Sequence, residues 1–432
     1  MTGIAFVGTG YVADYYIKTL ANHASLTLCG VYDRAPHQLE RFSAYYGVKA
    51  YRSLDDLLAD PAVEIVANLT TLESHYEISK AALLAGKHVY SEKPMTGTYA
   101  EAVDLVATAR ARGLIIAGAP ANAMTPKHAA VAQLVAEGAI DAPKLAYAQM
   151  EDGAVFRQNW RDWRSQSGAP WPGEHEFAIG CTLEHVVYSL VWLVSLLGPV
   201  TRVTAFSATC FPDKGLADGA SVGPDFSVAV LSFRNGAVAR LTTGLCADKD
   251  RSLTLMGDAG TITVDDLWDF HSTARIERSG QPRALVNRLA GAIKRNFGVT
   301  FGRLAEPGQS ILAHSSERPT LPTFPSRIDF SRGIAAVADA INGGPRPFVS
   351  GEMALHLTEI ALAISNAGPD GHHYIVSSTP SADGRQGEHR LNDAEHDAAV
   401  RELRDVARNT PGANSVHDSL GFKLKTAAFK AI

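Results

Sequence analysis

Residues Gly3–Ala21 read GIAFVGTGYVADYYIKTLA, and this stretch decides the architecture of the first part of the chain. Gly3–Val7 is a short β-type run, Gly8-Thr9-Gly10-Tyr11-Val12-Ala13 follows it, and Tyr15–Ala21 reads as helix. A G-x-G-x-x-A pattern between strand and helix is the context that a dinucleotide-binding fingerprint requires. The glycines permit a tight turn and close backbone approach to a pyrophosphate. A small third residue lets helix and strand pack closely, and the helix N-terminus attracts the negative charge. A second β-type run, Leu26–Tyr32, ends in Asp33, 23 residues after Gly10, near the spacing at which an acid meets the adenosine ribose hydroxyls. The expected cofactor contacts are therefore Gly8, Thr9, Gly10, Tyr11, Val12, Ala13 and Asp33. The acid favours NAD over NADP, and Arg34, which follows it, is a cation able to accommodate part of a 2′-phosphate.

The pattern continues outward from this unit. Leu54–Leu58, His75–Ala85 and Ala100–Arg112 read as helices; Ile65–Leu69, His88–Ser91 and Leu114–Ala117 read as strands. Strands that alternate with helices imply a parallel, doubly wound sheet, assigned here to residues 1–122. Asn68-Leu69-Thr70 matches a glycosylation sequon, but it ends a strand expected to be buried and is discarded.

Composition bounds the remaining possibilities. A chain of 432 residues suggests two domains. Its 46% hydrophobic and 20% charged residues fit an ordinary globular protein. The net charge of −5 argues against nucleic acid as a partner. The longest apolar stretch, Val186–Leu197, is interrupted by Tyr188, Ser189 and Ser195; it is too short to span a bilayer and reads as a buried helix. The start, MTGIAFVGTG, lacks the basic region of a signal peptide. Cys29, Cys181, Cys210 and Cys246 are far apart with no C-x-x-C spacing, so neither a metal site nor a disulfide framework is expected. A reduced, cytoplasmic protein follows.

The segment Ala82–Met95 reads ALLAGKHVYSEKPM. It resembles the Ala-Gly-Lys-His-Val…Glu-Lys-Pro signature of the glucose-fructose oxidoreductase / inositol dehydrogenase / MocA family. Thr70-Thr71 with His75 resembles that family's strand-end threonine and histidine. Leu134–Lys144 resembles the opening of its second domain, and Arg327–Ala340 and Ala354–Asn366 resemble its closing helices. The similarity spans roughly residues 1–367. It implies that Thr70, His75, Glu92 and Lys93 border the cofactor and that Lys93 contacts the reacting oxygen. The chemistry requires such a group: a hydroxyl losing a hydride also loses a proton, and an ammonium stabilises the alkoxide that develops. Pro94 would hold Lys93 in an extended conformation.

The resemblance also implies an Asp-x-x-x-His pair opening a helix of the second domain, residues 123–367. Here the stretch is Gly180-Cys181-Thr182-Leu183-Glu184-His185. The histidine is in place, and Cys181 occupies the aspartate position. Cys181, His185 and Ser189 should share one helix face, with Cys181 a small neutral neighbour of the base. Glu184 projects about 100° away and is a poor orienter of His185; Glu174 or Glu176 is the candidate replacement carboxylate. Before this helix, Arg157–Phe177 reads RQNWRDWRSQSGAPWPGEHEF. Tryptophan faces stack on sugar C–H surfaces, and arginines pair with phosphate or carboxylate. Arg157, Trp160, Arg164, Trp171, Cys181, Glu184, His185 and Lys93 are accordingly the expected substrate contacts. The alternative is a connecting loop with buried aromatics.

Further β-type runs occupy Val200–Ala208, Phe226–Phe233, Ala237–Thr243, Leu253–Met256 and Thr261–Val264, with an Asn235-Gly236 hairpin signal. They imply an open antiparallel sheet, whose outer face the resemblance makes a dimer contact. Residues 275–325 read as a basic, solvated insertion in which Leu285, Leu289 and Ile293 give a short amphipathic helix, with a membrane-surface or partner helix as the alternative, and 368–432 read as a tail with a helix expected over Ala394–Val406. Adjacent His372-His373 without an acid or cysteine framework is not a metal site.

The expected fold class is α/β: an N-terminal doubly wound parallel sheet and a C-terminal α+β domain on an open antiparallel sheet. The expected activity is hydride transfer between NAD(P) and a C–OH or C=O group of a sugar, cyclitol or related carbohydrate-like molecule, by a homodimer or homotetramer. Two other readings remain open at this level: an NAD-dependent glycosidase acting through transient oxidation, and a non-catalytic nucleotide-binding regulator.

Overall fold

The computed structural model describes residues 1–280, 308–311, 318–323 and 326–380, with isolated positions at 289, 292, 293 and 296. The basic helix expected around 285–293 falls for the most part, and the helix expected over 394–406 entirely, outside the described residues.

Five short strands build the first sheet: β1 (Thr2–Val7), β2 (Leu26–Tyr32), β3 (Ile65–Asn68), β4 (His88–Ser91) and β5 (Ile116–Gly118). Their order is β2-β1-β3-β4-β5, and every pair is parallel. β1, β3 and β5 are buried along their whole length, as expected of a parallel sheet covered by helices on both faces. The helices are α1 (Ala13–Leu20), α2 (Pro36–Tyr46), α3 (Leu54–Ala59), α4 (Leu72–Leu84) and α5 (Tyr99–Ala111). The Ser53 and Thr98 side chains accept the Asp56 and Glu101 N–H groups, which caps α3 and α5. Sequence reasoning missed α2. Its signals were present in Pro36 at the first turn and Gly47 just past the end.

The second half starts with α6 (Pro126–Ala136) and β6 (Leu145–Glu151). It continues through α7 (Gly173–Ile179), α8 (Cys181–Leu197), β7 (Val200–Ala208), β8 (Phe226–Phe233), β9 (Val238–Gly244), β10 (Leu253–Gly257), β11 (Gly260–Val264), β12 (Ala274–Arg278) and β13 (Gln309–Ser310). With β14 (His372–Ile375), the strands form a nine-stranded sheet ordered β13-β12-β11-β10-β6-β9-β8-β7-β14. All its pairs are antiparallel except β6 with β9. The sheet is therefore mixed. Chain order explains this: β6 enters alone before α7 and α8 and inserts beside β9, whereas β7–β9 follow one another as hairpins. β8 alternates Ser227, Ala229, Leu231 and Phe233 inward with Phe226, Val228, Val230 and Ser232 outward. α8 packs on the inner face, against β6, β8 and β9.

Three segments depart from the expected division of the chain. β12 carries the sheet into the stretch expected as an insertion, and β14 brings the start of the expected tail into the sheet. α9 (Arg332–Ile341) and α10 (Gly351–Ser365) return to the first sheet. α9 lies on β3, β4 and β5; α10 lies on α5 and β5 and also on α8 and β7. The closing helices thus complete the cover of the first domain and tie it to the second. Among the described residues no single helix is long and apolar enough to cross a membrane.

α10 also carries a buried histidine that makes stability depend on acidity. His356 is fully buried; its Nε2 accepts the Val200 N–H at 3.1 Å, so Nδ1 donates to Ser378 Oγ at 2.9 Å. Burial pushes its pKa down to about 3, and burial likewise lowers His128 to about 4. A histidine whose folded pKa lies below its unfolded value of about 6.5 stabilises the fold above that pH and ceases to do so as the pH falls through the folded value. The thermal midpoint should therefore drop as pH is lowered from 6.5 toward 4.5. His356→Gln should flatten part of that slope, and identical slopes in melts of variant and wild type would contradict the assignment.

Candidate active site

The glycine turn between β1 and α1 is shaped for close approach. Gly8 has φ +98°, and a Cβ there would lie 2.6 Å from the Leu69 carbonyl oxygen; around Gly10, by contrast, no atom lies within 4 Å of the Cβ position. Val12 occupies the N-cap of α1 without a side-chain cap bond. The first N–H groups of α1, which starts at Ala13, thus take no side-chain cap, and the space over Gly10 just before them is open, the arrangement that receives a pyrophosphate. Tyr11 packs edge-on against Tyr15 at 5.7 Å. Asp33 Oδ2 accepts from Thr9 N–H at 2.8 Å and from Thr9 Oγ1 at 3.0 Å, and Oδ1 accepts from Ala35 N–H at 2.8 Å. A carboxylate has about four acceptor positions, so Asp33 retains room for a ribose hydroxyl. Arg34 is exposed. Arg41 on α2, which sequence reasoning missed, donates Nη2 to the Thr9 carbonyl at 3.3 Å.

Thr70, His75 and Glu92, the expected cofactor contacts at the strand ends, are each held by hydrogen bonds within the protein. His75 is 2% exposed, with Nδ1 2.8 Å from the Pro94 carbonyl and Nε2 3.0 Å from that of Thr70. Burial lowers its pKa against the pull of the two carbonyls; a neutral ring has one N–H and donates to only one of them. Glu92 is buried: Oε1 accepts the Tyr16 hydroxyl at 2.7 Å and Oε2 the Lys93 N–H at 2.9 Å. Thr70 is half-buried, and its hydroxyl donates to Asn68 Oδ1 at 2.7 Å.

Lys93 follows the end of β4, and its bond to Pro94 is cis. Its Nζ donates to the Glu184 carbonyl at 2.7 Å and to Glu184 Oε2 at 3.0 Å, 5.5 Å from the Tyr188 ring centroid. One strand end of the first sheet and one helix of the second domain thus meet in a single ion pair. Burial works against the lysine's charge, but Glu184, Tyr188, Glu92 and Glu176 together outweigh it and the net shift is upward. Burial likewise opposes the charge on Glu184, and Lys93 overrides it downward. Burial, then Glu184, push Glu176 well above the usual carboxylate range. The site therefore holds one firm cation, one firm anion and one neutral acid.

His185, on the next residue of α8, lies against Trp268 with ring centroids 5.3 Å apart. Its Nδ1 is buried without a hydrogen-bond partner, so neither Glu174 nor Glu176 replaces the missing aspartate by bonding that nitrogen. Burial, the Lys93 charge and Arg251 push the histidine down to about 3 against the opposing pull of Glu184. Cys181 is fully buried in a small apolar cluster with Val155, Trp160, Phe177 and Leu245, its Sγ donating to the Thr243 carbonyl at 3.5 Å. A fully buried thiol cannot touch substrate, and burial raises it far above its usual range, which removes the thiolate. Trp160 belongs to the same cluster, at 4% exposure, with Phe177 at 5.3 Å and Trp171 at 6.0 Å. It is a packing residue and offers no free face to a sugar. Trp171 is half-buried; Arg157 and Arg164 are exposed, the latter donating to the Arg161 and Trp163 carbonyls at 2.6 and 2.9 Å.

Comparison with known proteins bears on this arrangement. Residues 2–118 match the model of the GFO/IDH/MocA oxidoreductase family, NAD-binding Rossmann fold, and residues 128–263 match the GFO/IDH/MocA C-terminal domain. A 1,5-anhydro-D-fructose reductase of Ensifer adhaerens is 26% identical over 75% of this chain and 83% of its own. A D-xylose 1-dehydrogenase (NADP(+)) of Hypocrea jecorina is 31% identical over 54% of this chain and 60% of its own. Among solved structures, the aldose-aldose oxidoreductase of Caulobacter crescentus superposes with a TM-score of 0.65 at 20% identity. That superposition covers 87% of this chain and 99% of that one, and it supports the fold.

Proposed function

Because the chain belongs to the GFO/IDH/MocA family of NAD(P)-binding oxidoreductases, we propose that it oxidises a carbinol, or reduces the corresponding carbonyl, of a sugar or cyclitol, with NAD as the preferred cofactor. The observation that carries the reading is the Lys93–Glu184 pair beside His185, between the sheet end that follows the glycine turn and α8. The nicotinamide, when bound, supplies the hydride acceptor or donor. Lys93 stabilises the substrate oxygen as its charge develops. Glu184 keeps Lys93 charged and aimed, and is a positioning residue. His185, neutral over the working pH range, accepts the hydroxyl proton in the oxidative direction. The experiment is a panel of free sugars and cyclitols with each dinucleotide, read as net reduced cofactor. Release of an aglycone without net NADH would favour the glycosidase reading instead.

Asp33 sets the expected cofactor choice. Its carboxylate repels a 2′-phosphate, while Arg34 and Arg41 temper the preference. A modestly higher kcat/KM with NAD is expected, and a tenfold preference for NADP would overturn it. Self-association fits the outer face of the nine-stranded sheet, where Tyr147, Val230 and Val238 are 39%, 46% and 37% exposed. We place the protein in the cytoplasm, as a homodimer or homotetramer joined through that face. Charged substitutions at Val230 and Val238 should dissociate it in sedimentation.

A further inference from the structure

We propose that the turn Ser165–Ala169 is a strap closing over the adenosine side of the nucleotide cleft, and that Asp14 latches it. The inference rests on the dinucleotide reading above. Asp14 directly follows the fingerprint, as the second residue of α1, and is 2% exposed. Its Oδ1 accepts the Tyr46 hydroxyl at 2.6 Å and the Ser167 N–H at 2.7 Å. Its Oδ2 accepts the Ser165 and Ser167 hydroxyls at 2.7 and 2.8 Å. Three of these four donors come from a turn more than 150 residues further along the chain.

The turn is built for this contact. Ser165 N–H donates to the Ala169 carbonyl at 2.8 Å and Gly168 N–H to the Ser165 carbonyl at 2.9 Å. Gly168 has φ +89°, which favours glycine. The turn stands on a packed aromatic base, with Trp163 and Trp171 centroids 5.1 Å apart. A Cβ on Gly168 would lie 3.7 Å from Arg41 Cδ, and Arg41 in turn bonds the Thr9 carbonyl of the glycine turn. The strap therefore borders the ends of β1 and β2, the edge at which a nucleotide binds in such sheets.

A buried carboxylate is costly unless donors surround it, and hydrogen bonds to a charged acceptor are stronger than neutral ones. The closed strap satisfies Asp14 with protein donors; opening exchanges three of them for water. The contact is thus reversible. It governs how fast the dinucleotide leaves and takes no part in hydride transfer.

Ser165→Ala/Ser167→Ala removes two strap donors and leaves α1 untouched, and Asp14→Asn alters the acceptor. NADH and NADPH release would be followed by stopped-flow fluorescence with excess oxidised cofactor as chase, together with hydrogen exchange of the strap. Release about tenfold faster or more is expected, the scale of one hydrogen bond to a charged group, with faster exchange over residues 163–171. Release within twofold of wild type in both variants overturns the strap alone. A wild-type chain that binds neither reduced cofactor overturns the dinucleotide reading and the strap with it.

Discussion

Lys93→Met is expected to lower kcat by roughly 10²-fold or more, the usual scale for one proton-transfer or electrostatic group. The reason lies in how the lysine is held. Two of its three ammonium protons go to Glu184, through the carbonyl at 2.7 Å and Oε2 at 3.0 Å, which leaves one for substrate. Its side chain is 11% exposed and that of Glu184 15%, so water screens the pair poorly. Methionine matches the stem but leaves the Glu184 carboxylate without its cation, and breaking one side of a buried pair is strongly destabilising. Lost turnover alone would therefore be ambiguous. The double variant Lys93→Met/Glu184→Gln removes both charges and should recover much of the thermal stability while turnover stays low. Dinucleotide affinity should change little in either variant, because the pyrophosphate surface belongs to Gly8–Ala13. Near-normal kcat in a folded Lys93→Met protein would return Lys93 to a purely structural role.

His185→Ala is expected to abolish most activity, by about 10²- to 10⁴-fold, the range for a positioned general base. The pH dependence distinguishes this from a packing defect. With the histidine at about 3, its imidazole is neutral well below pH 5. The wild-type kcat/KM profile should therefore show no acidic limb from His185 between pH 5 and 8. A limb with a midpoint near 6.5 that disappears in His185→Ala would mean that an acid holds the imidazolium after all. Cys181→Asp serves as the contrast. The family-like sequence suggests that an aspartate at 181 would pair with His185, raise its pKa and bring back such a limb. In this structure the position is enclosed by Val155, Trp160, Phe177 and Leu245. A carboxylate there meets apolar side chains and should chiefly lower the thermal midpoint.

The periodic elements were legible because their signals are local. Continuous apolar runs marked β1–β4, and the glycine spacing marked the nucleotide turn. Asn235-Gly236 marked the β8–β9 hairpin, whose turn closes with Asn235 Oδ1 accepting the Ala237 N–H at 3.0 Å. β6 escaped notice because it stands alone: its partners β9 and β10 lie far along the chain, and no adjacent turn announced it. α2 escaped because its polar composition hides an interior stripe; only Phe42 is fully buried.

The site divides in the same way. Sequence by itself determined the doubly wound first domain, the Gly8–Ala13 turn with Asp33, and the candidacy of Lys93 and His185. Each of these depends on residue type and spacing within one strand, turn or helix. Tertiary structure alone decided that Glu184 is the counter-ion of Lys93, that Cys181 and Trp160 face a buried cluster, and that His75 and Glu92 brace the loops around the cleft. It alone brought Ser165 and Ser167 to Asp14, and α9 and α10 back onto the first sheet. The physical reason is range. Backbone propensity and periodicity act over a few residues, whereas the partner of a buried charge is set by whichever group the packed fold carries within about 3 Å of it.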